Sequence, residues 1–414
     1  MENKKRIVWI DQLKGIAFIF VIIGHLGIGK TFKSWIYSFH MPLFFFATGF
    51  TMNFEKMNKT SFKDFFLIRA KRMLIPYFWM QMLSFCLRQV SVMVKQKGEV
   101  PVPRYLLGVI TGNNNLVGSP SNPLYYVLVL FMAELVIWAF VKLCKANKTG
   151  VALCSVFFLP VGLILTKVDL VWHASCVPAA VFFIVVGKLL MDLYKANREK
   201  LESLNAFKYI SSILVLFALG FVCWKFNGRF SLHGNYYGEE FVVAAAAAVF
   251  TSVAITLCVM KLPSMKLITF IGQNTLFYMG IHKPLILVFE AMFPKYKETT
   301  VFIIAATVAC ALLLVPATLI AKKLFPFVLG TYVEKPEKVQ KCGQLLVLLA
   351  SFIVPYNYCL NHWNGGILKD STLYFVLSLA VFVAVMTGVW ALTSKFVPVI
   401  YLAGREKKVS EPKK

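Results

Sequence analysis

The chain has 414 residues, of which 58% are hydrophobic and only 15% are charged. Soluble domains are usually about 45–50% apolar and about 25% charged, so an ordinary soluble core does not account for this composition. Basic residues number 44 against 19 acidic ones, a net charge of +25 that would suggest nucleic-acid binding in a soluble chain. The apolar excess argues against that partner and favours an integral membrane protein, whose basic residues collect in cytoplasmic loops.

Twelve apolar stretches are long enough to cross a bilayer as helices of about 20 residues. They are continuously apolar, whereas strands of a membrane barrel alternate between polar and apolar residues. We therefore predict an all-α polytopic membrane protein of about 12 transmembrane helices. The predicted spans are 7–28, 34–53, 66–92, 123–141, 149–166, 171–190, 207–224, 241–260, 267–289, 300–321, 342–361 and 371–394.

The basic residues indicate how these spans are oriented. With the N-terminus in the cytoplasm, 30 of the 44 basic residues are assigned to cytoplasmic segments and the span ends that adjoin them, 12 are assigned to the outer side, and Lys14 and Arg88 remain inside spans. This bias follows the positive-inside rule and predicts that both termini are cytoplasmic, in a multi-pass protein of the plasma or inner membrane. The first apolar stretch lacks a small-residue cleavage site, so we predict a retained span rather than a cleaved signal peptide.

Several common features are not found in the sequence. The nine cysteines form no CxxC pair and mostly lie in apolar stretches, which predicts no disulfide framework. Zinc-protease, nucleophile-elbow, dinucleotide-binding and phosphate-loop signatures are missing, so we expect no metal site and no soluble-type hydrolase. The longest outer connection, 93–122, is rich in Gly, Pro and Asn and is predicted to be a turn-rich loop.

The first predicted helix carries three ionisable side chains, Asp11, Lys14 and His25. Such groups are costly inside a membrane and mark functional sites by default. At about 100° per residue the three lie within about 60° of one another, with His25 about 16 Å beyond Lys14 along the axis. A structural pair between Asp11 and Lys14, with the lysine extending to the interface, is the alternative. For His25 the alternative is a structural histidine.

Five short motifs follow one another along residues 7–325. They are Asp11-Gln-Leu-Lys14-Gly15 with Gly24-His25; Phe39-His40-Met41-Pro42 closed by Thr48-Gly49-Phe50; Arg69-Ala-Lys71-Arg72 with Pro76-Tyr77; Asn122-Pro123-Leu124-Tyr125-Tyr126; and Ile271-Gly272-Gln273-Asn274-Thr275 with Gly280-Ile281-His282-Lys283-Pro284. Together these motifs resemble the acyltransferase-3 family of membrane enzymes. Lys14 stands where many members have arginine, which is similar to the fucose O-acetylase-like branch.

The resemblance implies a ten-helix acyltransferase unit over 1–330, two additional helices over 331–403 and a basic cytoplasmic tail over 404–414. It implies an O-acyltransferase that moves an acyl group, commonly acetyl, from cytoplasmic acyl-CoA to a hydroxyl of a cell-surface carbohydrate such as an exopolysaccharide. Acyl-CoA is expected as a donor co-substrate, with no tightly bound cofactor. A lipid-linked sugar is an alternative acceptor, and the oligomeric state is left open.

The resemblance also assigns roles to residues. His25 is expected to act directly in transfer, and imidazole chemistry allows it to be either a general base or an acylated intermediate. From their position on the same helix we further hypothesise that Lys14 and Asp11 belong to the catalytic set: Lys14 holds the acyl-CoA or orients polar groups between the two sites, and Asp11 fixes Lys14. Arg69, Lys71 and Arg72 are expected to bind the donor phosphates, and membrane anchoring is the alternative for these three.

The remaining predicted site residues lie in the matched motifs. His40, His282 and Asn274 are expected to bind substrate. His173, His233 and His362 lie outside the motifs and are expected to be loop histidines without a role, although all six histidines fall at or near predicted outer ends.

Two further expectations complete the prediction. Glu134 and Glu290 lie within apolar spans and are expected to form structural pairs in the bundle rather than to act in catalysis. The competing functions are a transporter or polysaccharide exporter, which also fits twelve spans, and a membrane sensor or sugar-binding module.

Overall fold

The computed structural model describes residues 7–95, 102–117, 123–166, 168 and 170–330. In this part of the chain the secondary structure is helical, and one isolated bridge between Ser231 and Tyr236 is its only β pairing. The predicted all-α class is therefore confirmed for these residues. The last two predicted spans, the segment 331–403 and the tail 404–414 lie outside the described residues.

The described ranges form fifteen α-helices, which we number in chain order, and each of the first ten predicted spans overlaps one or two of them. Short 3-10 helices cover Val171–Cys176 and Pro326–Leu329. The α-helices are α1 Val8–His25, α2 Lys30–Thr51, α3 Phe54–Lys59, α4 Phe62–Lys95, α5 Val102–Thr111, α6 Asn114–Val117, α7 Tyr125–Leu143, α8 Lys148–Ile164, α9 Val177–Ala196, α10 Arg198–Glu202, α11 Ala206–Asn227, α12 Phe241–Lys261, α13 Lys266–Gln273, α14 Thr275–Met292 and α15 Thr300–Leu324.

Within the described residues, six helical segments are long and apolar enough to cross a membrane by length and composition: α1, α7, α11, α12, α15 and the combined stretch Val171–Ala196. The outward surface of α11 is strongly apolar, with Phe207 80% and Phe226 81% exposed. Large apolar side chains are stable on such a surface only when lipid covers them. The chain is thus a multi-pass membrane protein.

The predicted span 267–289 is not one continuous helix, so the prediction was wrong there. The helix ends at Gln273, and Asn274 takes the non-helical backbone angles φ −122° and ψ 20° before α14 begins. The Asn274 side-chain amide donates to the Phe270 carbonyl at 2.7 Å, which satisfies a backbone group near the break. Asparagine competes in this way with the helical hydrogen-bond ladder.

The connection 93–122 was also predicted incorrectly, because it contains helical structure. Helix α4 continues to Lys95, and α5 and α6 follow within the region expected to consist of turns. Helix α5 is amphipathic: Tyr105 is buried and donates through its hydroxyl to the Gln81 carbonyl at 2.8 Å, whereas Ile110 is 68% exposed. Pro103 is compatible with this helix because it lies in the first turn, where a backbone N–H group would have no intrahelical acceptor.

Helix α1 packs on α2, α12, α13 and α14, and its contact with α13 is between backbones. A Cβ atom added at Gly15 would collide with the Ile268 carbonyl oxygen, and one at Gly272 would collide with the Asp11 carbonyl oxygen. Glycine at both positions lets the helix axes approach more closely than any side chain permits. This contact places the α13–α14 break beside the charged end of α1.

Candidate active site

Three helices bring the predicted histidines together at one end of the bundle. His25 is the last residue of α1, His40 lies in α2 and His282 lies in α14. The ring centroids of His25 and His282 are 5.2 Å apart. His25 and His40 line a common cavity of about 210 Å³. Residues far apart in the sequence thus form one cluster.

Local backbone bonds set the proton positions on two of these rings. The Nδ1 atom of His40 lies 2.8 Å from the Ile36 carbonyl oxygen, and that of His282 lies 2.9 Å from the Tyr278 carbonyl oxygen. Because a carbonyl oxygen only accepts, each Nδ1 carries the hydrogen in these bonds, and the Nε2 atom of each neutral ring keeps its lone pair. His282 Nε2 is buried and has no hydrogen-bond partner among the described residues.

A second histidine pair lies beside the same cavity. His173 and His233 have ring centroids 5.3 Å apart, and the Asn114 side-chain amide contacts both Nε2 atoms, the one on His173 at 3.1 Å. Both rings pack edge-on against Tyr125, and His233 and Tyr125 line the cavity with His25. The structure thus places these two histidines, which were expected to be loop histidines without a role, beside the cavity that contains His25.

The backbone at His173 is strained. Trp172 and His173 have φ values of 59° and 55°, in the left-handed region that non-glycine residues rarely adopt. Such conformations cost on the order of 1–3 kcal/mol each and persist only where the surroundings hold them. Here Trp172 Nε1 donates to the Ile110 carbonyl at 2.6 Å, and His173 is 3% exposed.

No sequence signal identified this second pair. Asn114 precedes His173 by 59 residues and His233 by 119 residues, so no local spacing connects them. Both histidines lie outside helical motifs, one in a 3-10 segment and the other in the loop 228–240. The one hint was that all six histidines fall at or near predicted outer ends, and the Asn113-Asn114-Asn115 run in the connection 93–122 is equally typical of a turn.

A charged cluster lies toward the opposite end of the bundle and centres on Glu134. This residue is 2% exposed, and its Oε2 lies 2.7 Å from the Arg69 Nε. Arg72 and Lys14 also lie within electrostatic range of the Glu134 carboxylate. The prediction that Glu134 pairs within the bundle is confirmed. Two predicted site residues thus lie near one buried acid: Arg69 forms the ion pair with Glu134, and Lys14 lies within electrostatic range of it.

The three basic-motif residues differ in their surroundings. Arg69 is 25% exposed at its side chain and also packs over the Phe65 ring, with its guanidinium carbon 5.2 Å from the centroid. Lys71 is half-buried and Arg72 is exposed. Arg72 is thus the most accessible of the three to a ligand, and the charge of Arg69 is matched by Glu134.

Asp11 and Asn274 lie near the helix break rather than at the histidine cavity. Asp11 is 5% exposed and accepts a hydrogen bond from Gln273 Nε2 at 3.4 Å. Asn274 bonds the backbone of its own helix, and it does not line the cavity that contains His25. The structure therefore gives Asn274 a backbone role and places it apart from His40 and His282, with which it was grouped.

One uninterrupted helix links the two clusters, because Lys14 and His25 both lie in α1. At about 1.5 Å per residue they are about 16 Å apart along the axis, as predicted. Buried aromatic side chains pack between the two clusters: Phe18 contacts the His282 ring at 5.2 Å, and Phe45 contacts Tyr126 at 5.1 Å. The histidine cavity and the charged cluster are thus separated by an apolar interior.

Comparison with known proteins agrees with this arrangement. A model of the acyltransferase-3 family, described as an acyltransferase domain, matches residues 7–322, a range that contains both clusters. No curated protein and no solved structure shows a significant match. Because the matched range covers well over half of the 414 residues, the chain belongs to the acyltransferase-3 family of acyltransferases.

Proposed function

We propose that this protein transfers an acyl group, acetyl by preference, from cytoplasmic acyl-CoA to a hydroxyl of an extracytoplasmic carbohydrate. The observation that carries this proposal is the cavity in which His25 and His40 meet, at the far end of the helix that also bears Lys14. Imidazole is the side chain best suited to accept a hydroxyl proton near neutral pH.

In the proposed reaction the sugar hydroxyl oxygen attacks the thioester carbonyl carbon. His25 takes the hydroxyl proton, the new C–O bond forms, and the C–S bond breaks with release of the CoA thiolate. The thiolate then receives the proton, so the products are an ester and free CoA. His282, whose ring contacts His25 and whose Nε2 is unpartnered among the described residues, holds the His25 ring in position.

An acylated His25 is the second route, in which the imidazole attacks the thioester and then passes the acyl group to the hydroxyl. Both routes use the same cavity and the same donor. They differ in whether an acyl-enzyme forms when acyl-CoA is supplied without acceptor. Rapid quenching of protein mixed with radiolabelled acetyl-CoA, followed by mass analysis of the His25 peptide, distinguishes them.

We place the donor phosphates at the charged cluster. Arg72 is exposed and Lys71 is half-buried there, and guanidinium and ammonium groups suit phosphate oxygens. Glu134 holds Arg69 in a fixed orientation, and Lys14 lies within range of the same carboxylate. The extended pantetheine arm then runs along the apolar interior toward His25.

The cavity size supports a small acyl group. Its volume of about 210 Å³ is below the range of about 300–1,000 Å³ typical of pockets for drug-sized ligands. It therefore suits an acetyl group and the reacting part of a sugar better than a long fatty acyl chain. Acetyl-CoA is accordingly the donor that we propose.

The proposed setting is the plasma or inner membrane, with twelve spans, cytoplasmic termini and the histidine cavity on the outer side. The distribution of basic residues supports this orientation. Lys14, in place of the more usual arginine, supports membership of the fucose O-acetylase-like branch. The family match and the histidine cavity favour an enzyme over a transporter.

The deciding experiment combines genetics and biochemistry. Deletion of the gene is expected to remove O-acyl esters from the envelope carbohydrates, and the purified protein is expected to turn over acetyl-CoA when that carbohydrate fraction is added. Unchanged ester content together with no acetyl-CoA turnover would refute the enzyme assignment.

A further inference from the structure

The loop 228–240, between α11 and α12, forms one wall of the histidine cavity. Its apolar anchors are almost fully buried: Phe230 is 1%, Leu232 2% and Tyr237 5% exposed. Ser231 and Tyr236 exchange two backbone hydrogen bonds, of 2.8 and 3.0 Å, across the turn between them. The loop is therefore a packed part of the fold.

Side-chain hydrogen bonds fix this loop to the neighbouring helices. The Asn235 amide donates to the carbonyls of Gly162 and Leu165, both at 2.9 Å, and Cys176 Sγ lies 3.0 Å from the Leu232 carbonyl oxygen. Tyr237 donates to Asn235 Oδ1 at 2.5 Å. Burial raises the pKa of the Tyr237 phenol, which therefore stays protonated as a donor. Such a loop presents its cavity-facing residues in a defined position.

Two of the residues that this loop presents to the cavity are Arg229 and His233. Arg229 is exposed while also lining the cavity, which places it at the edge of the opening. The ion pairs formed among the described residues do not include Arg229. Its guanidinium group is therefore available to a ligand.

The electrostatic surroundings of the opening are positive. The described residues that line the cavity include no Asp or Glu. Lys283 Nζ donates to the His25 carbonyl at 3.4 Å, and Lys33 lies within electrostatic range of both His25 and Arg229. Among the described residues, Glu290 lies within electrostatic range of both lysines, while the cavity lining itself contains Arg229 and no carboxylate.

We propose that the acceptor is an acidic carbohydrate, with a carboxylate or phosphate near the hydroxyl that is acylated, and that Arg229 binds this anion. His233, on the same loop, contacts the sugar. This inference rests on the proposed function. A guanidinium group binds carboxylate and phosphate oxygens through paired, charge-assisted hydrogen bonds, so one such residue is enough to orient an anionic sugar.

Two other anions are less suitable for this position. The CoA phosphates are accounted for by the accessible cations of the charged cluster, about 16 Å away along α1. Free membrane phosphate would reach Arg229 only from the bilayer surface, whereas Arg229 lines the same cavity as His25. A lipid-linked sugar whose phosphate lies near the acylated hydroxyl has the same chemistry as the proposed acceptor and is included in the proposal.

The test measures acetyl transfer by the purified full-length protein in a neutral detergent. Radiolabelled acetyl-CoA is the donor, and the acceptors are methyl glucuronide, glucose 6-phosphate and uncharged methyl glucoside. Arg229→Gln removes the charge and Arg229→Lys preserves it. Lys225→Gln, a matched loss of charge at an exposed position outside the cavity, is the control.

We expect the wild type to prefer the acidic acceptors and Arg229→Gln to lower kcat/KM for them by about ten- to a hundred-fold, the effect of losing one charge-assisted hydrogen bond. The rate with methyl glucoside should hardly change, Arg229→Lys should retain part of the preference, and Lys225→Gln should retain all of it. Faster transfer to methyl glucuronide would identify the anion of the acceptor as a carboxylate, and faster transfer to glucose 6-phosphate would identify it as a phosphate.

The inference would be overturned by equal or better use of methyl glucoside, by a preference that Arg229→Gln leaves intact, or by an Arg229→Gln effect confined to the KM for acetyl-CoA. Acetyl-CoA turnover with transfer to none of the three sugars would also reject it. Absence of acetyl-CoA turnover in the wild type with the envelope carbohydrate fraction would instead reject the proposed function itself.

Discussion

The His25 side chain is where the chemistry is expected to take place, because it lines the cavity and contacts a second imidazole. We predict that His25→Ala abolishes acyl transfer while the protein still inserts into the membrane. A positioned base contributes about 10²–10⁴-fold, so the residual rate should fall by at least that factor. The measurement is acetyl transfer from radiolabelled acetyl-CoA, normalised to folded protein. A variant that retains the wild-type rate would remove His25 from the mechanism.

The Glu134–Arg69 ion pair is expected to contribute to the free energy of unfolding, and this can be tested by substitution of Glu134. Glu134→Gln leaves the Arg69 charge partly buried without its carboxylate, and loss of one partner of a buried pair typically costs about 3–5 kcal/mol. We expect a value near the lower limit, about 3 kcal/mol, because the Arg69 side chain is 25% exposed. Thermal or denaturant unfolding in detergent measures the change.

The exposed pair Arg198–Glu202 provides the control for that prediction. Its side chains are 64% and 51% exposed, and exposed pairs contribute about 0–1 kcal/mol. Glu202→Gln should therefore leave the free energy of unfolding nearly unchanged. Equal effects of the two substitutions would show that Glu134 has no special role in holding the basic motif.

The contact between α1 and α13 depends on glycine. Gly272→Ala places a Cβ against the Asp11 carbonyl oxygen, a backbone atom that cannot rotate away. Overpacking of this kind costs about 1–3 kcal/mol, and it should also shift Asp11 relative to Gln273. We predict lower thermal stability and lower transferase activity for this variant. Gly29→Ala is the control, since no atom lies within 4 Å of a Cβ at that position; a similar loss there would contradict the packing argument.

Helix existence was largely predictable from the sequence, whereas helix continuity was not. A continuous apolar stretch of about 20 residues has few alternatives to a spanning helix, which explains why all ten predicted spans within the described residues overlap helices. The break at Asn274 depends on a side-chain bond to Phe270 that competes with the helical ladder. Helix α5 depends on tertiary burial of Tyr105, which composition does not reveal.

The candidate site was predictable only where its residues belong to recognisable motifs. His25, His40 and His282 were predicted together, and the structure brings them together. The second pair, His173 and His233, joins the same region only through loops and through Asn114. Contacts of that kind arise only in the folded arrangement, so they cannot be predicted from helical periodicity or from the spacing of residues along the sequence.

At the scale of the whole molecule, the two ends of the bundle are expected to face different compartments. The loop between α14 and α15 lies at the end of the histidine cavity, since Lys297 and Glu298 lie beside Gly27, two residues after His25. Helix α10 follows the end of α9 where Tyr194 packs on Trp9, at the opposite end of α1. Lys297 and Lys200 are exposed at these respective ends. We predict that Lys297→Cys reacts with a membrane-impermeant maleimide on intact cells, and that Lys200→Cys reacts only after the cells are opened. The unsubstituted protein gives the background from its native cysteines, and the reverse pattern would invert the proposed topology.

The strained backbone at Trp172 and His173 has a consequence for the evolution and engineering of this protein. Two adjacent left-handed residues reduce the net stability of the fold, and selection for stability alone would replace them with glycine or asparagine. Replacement of His173 would relax the chain and would also remove the ring that contacts Asn114, Tyr125 and His233. Screens for thermostable variants should therefore recover substitutions at His173, and these variants should recognise their acceptors less well, because the stability is gained at the expense of the ring that packs on His233 in the cavity wall.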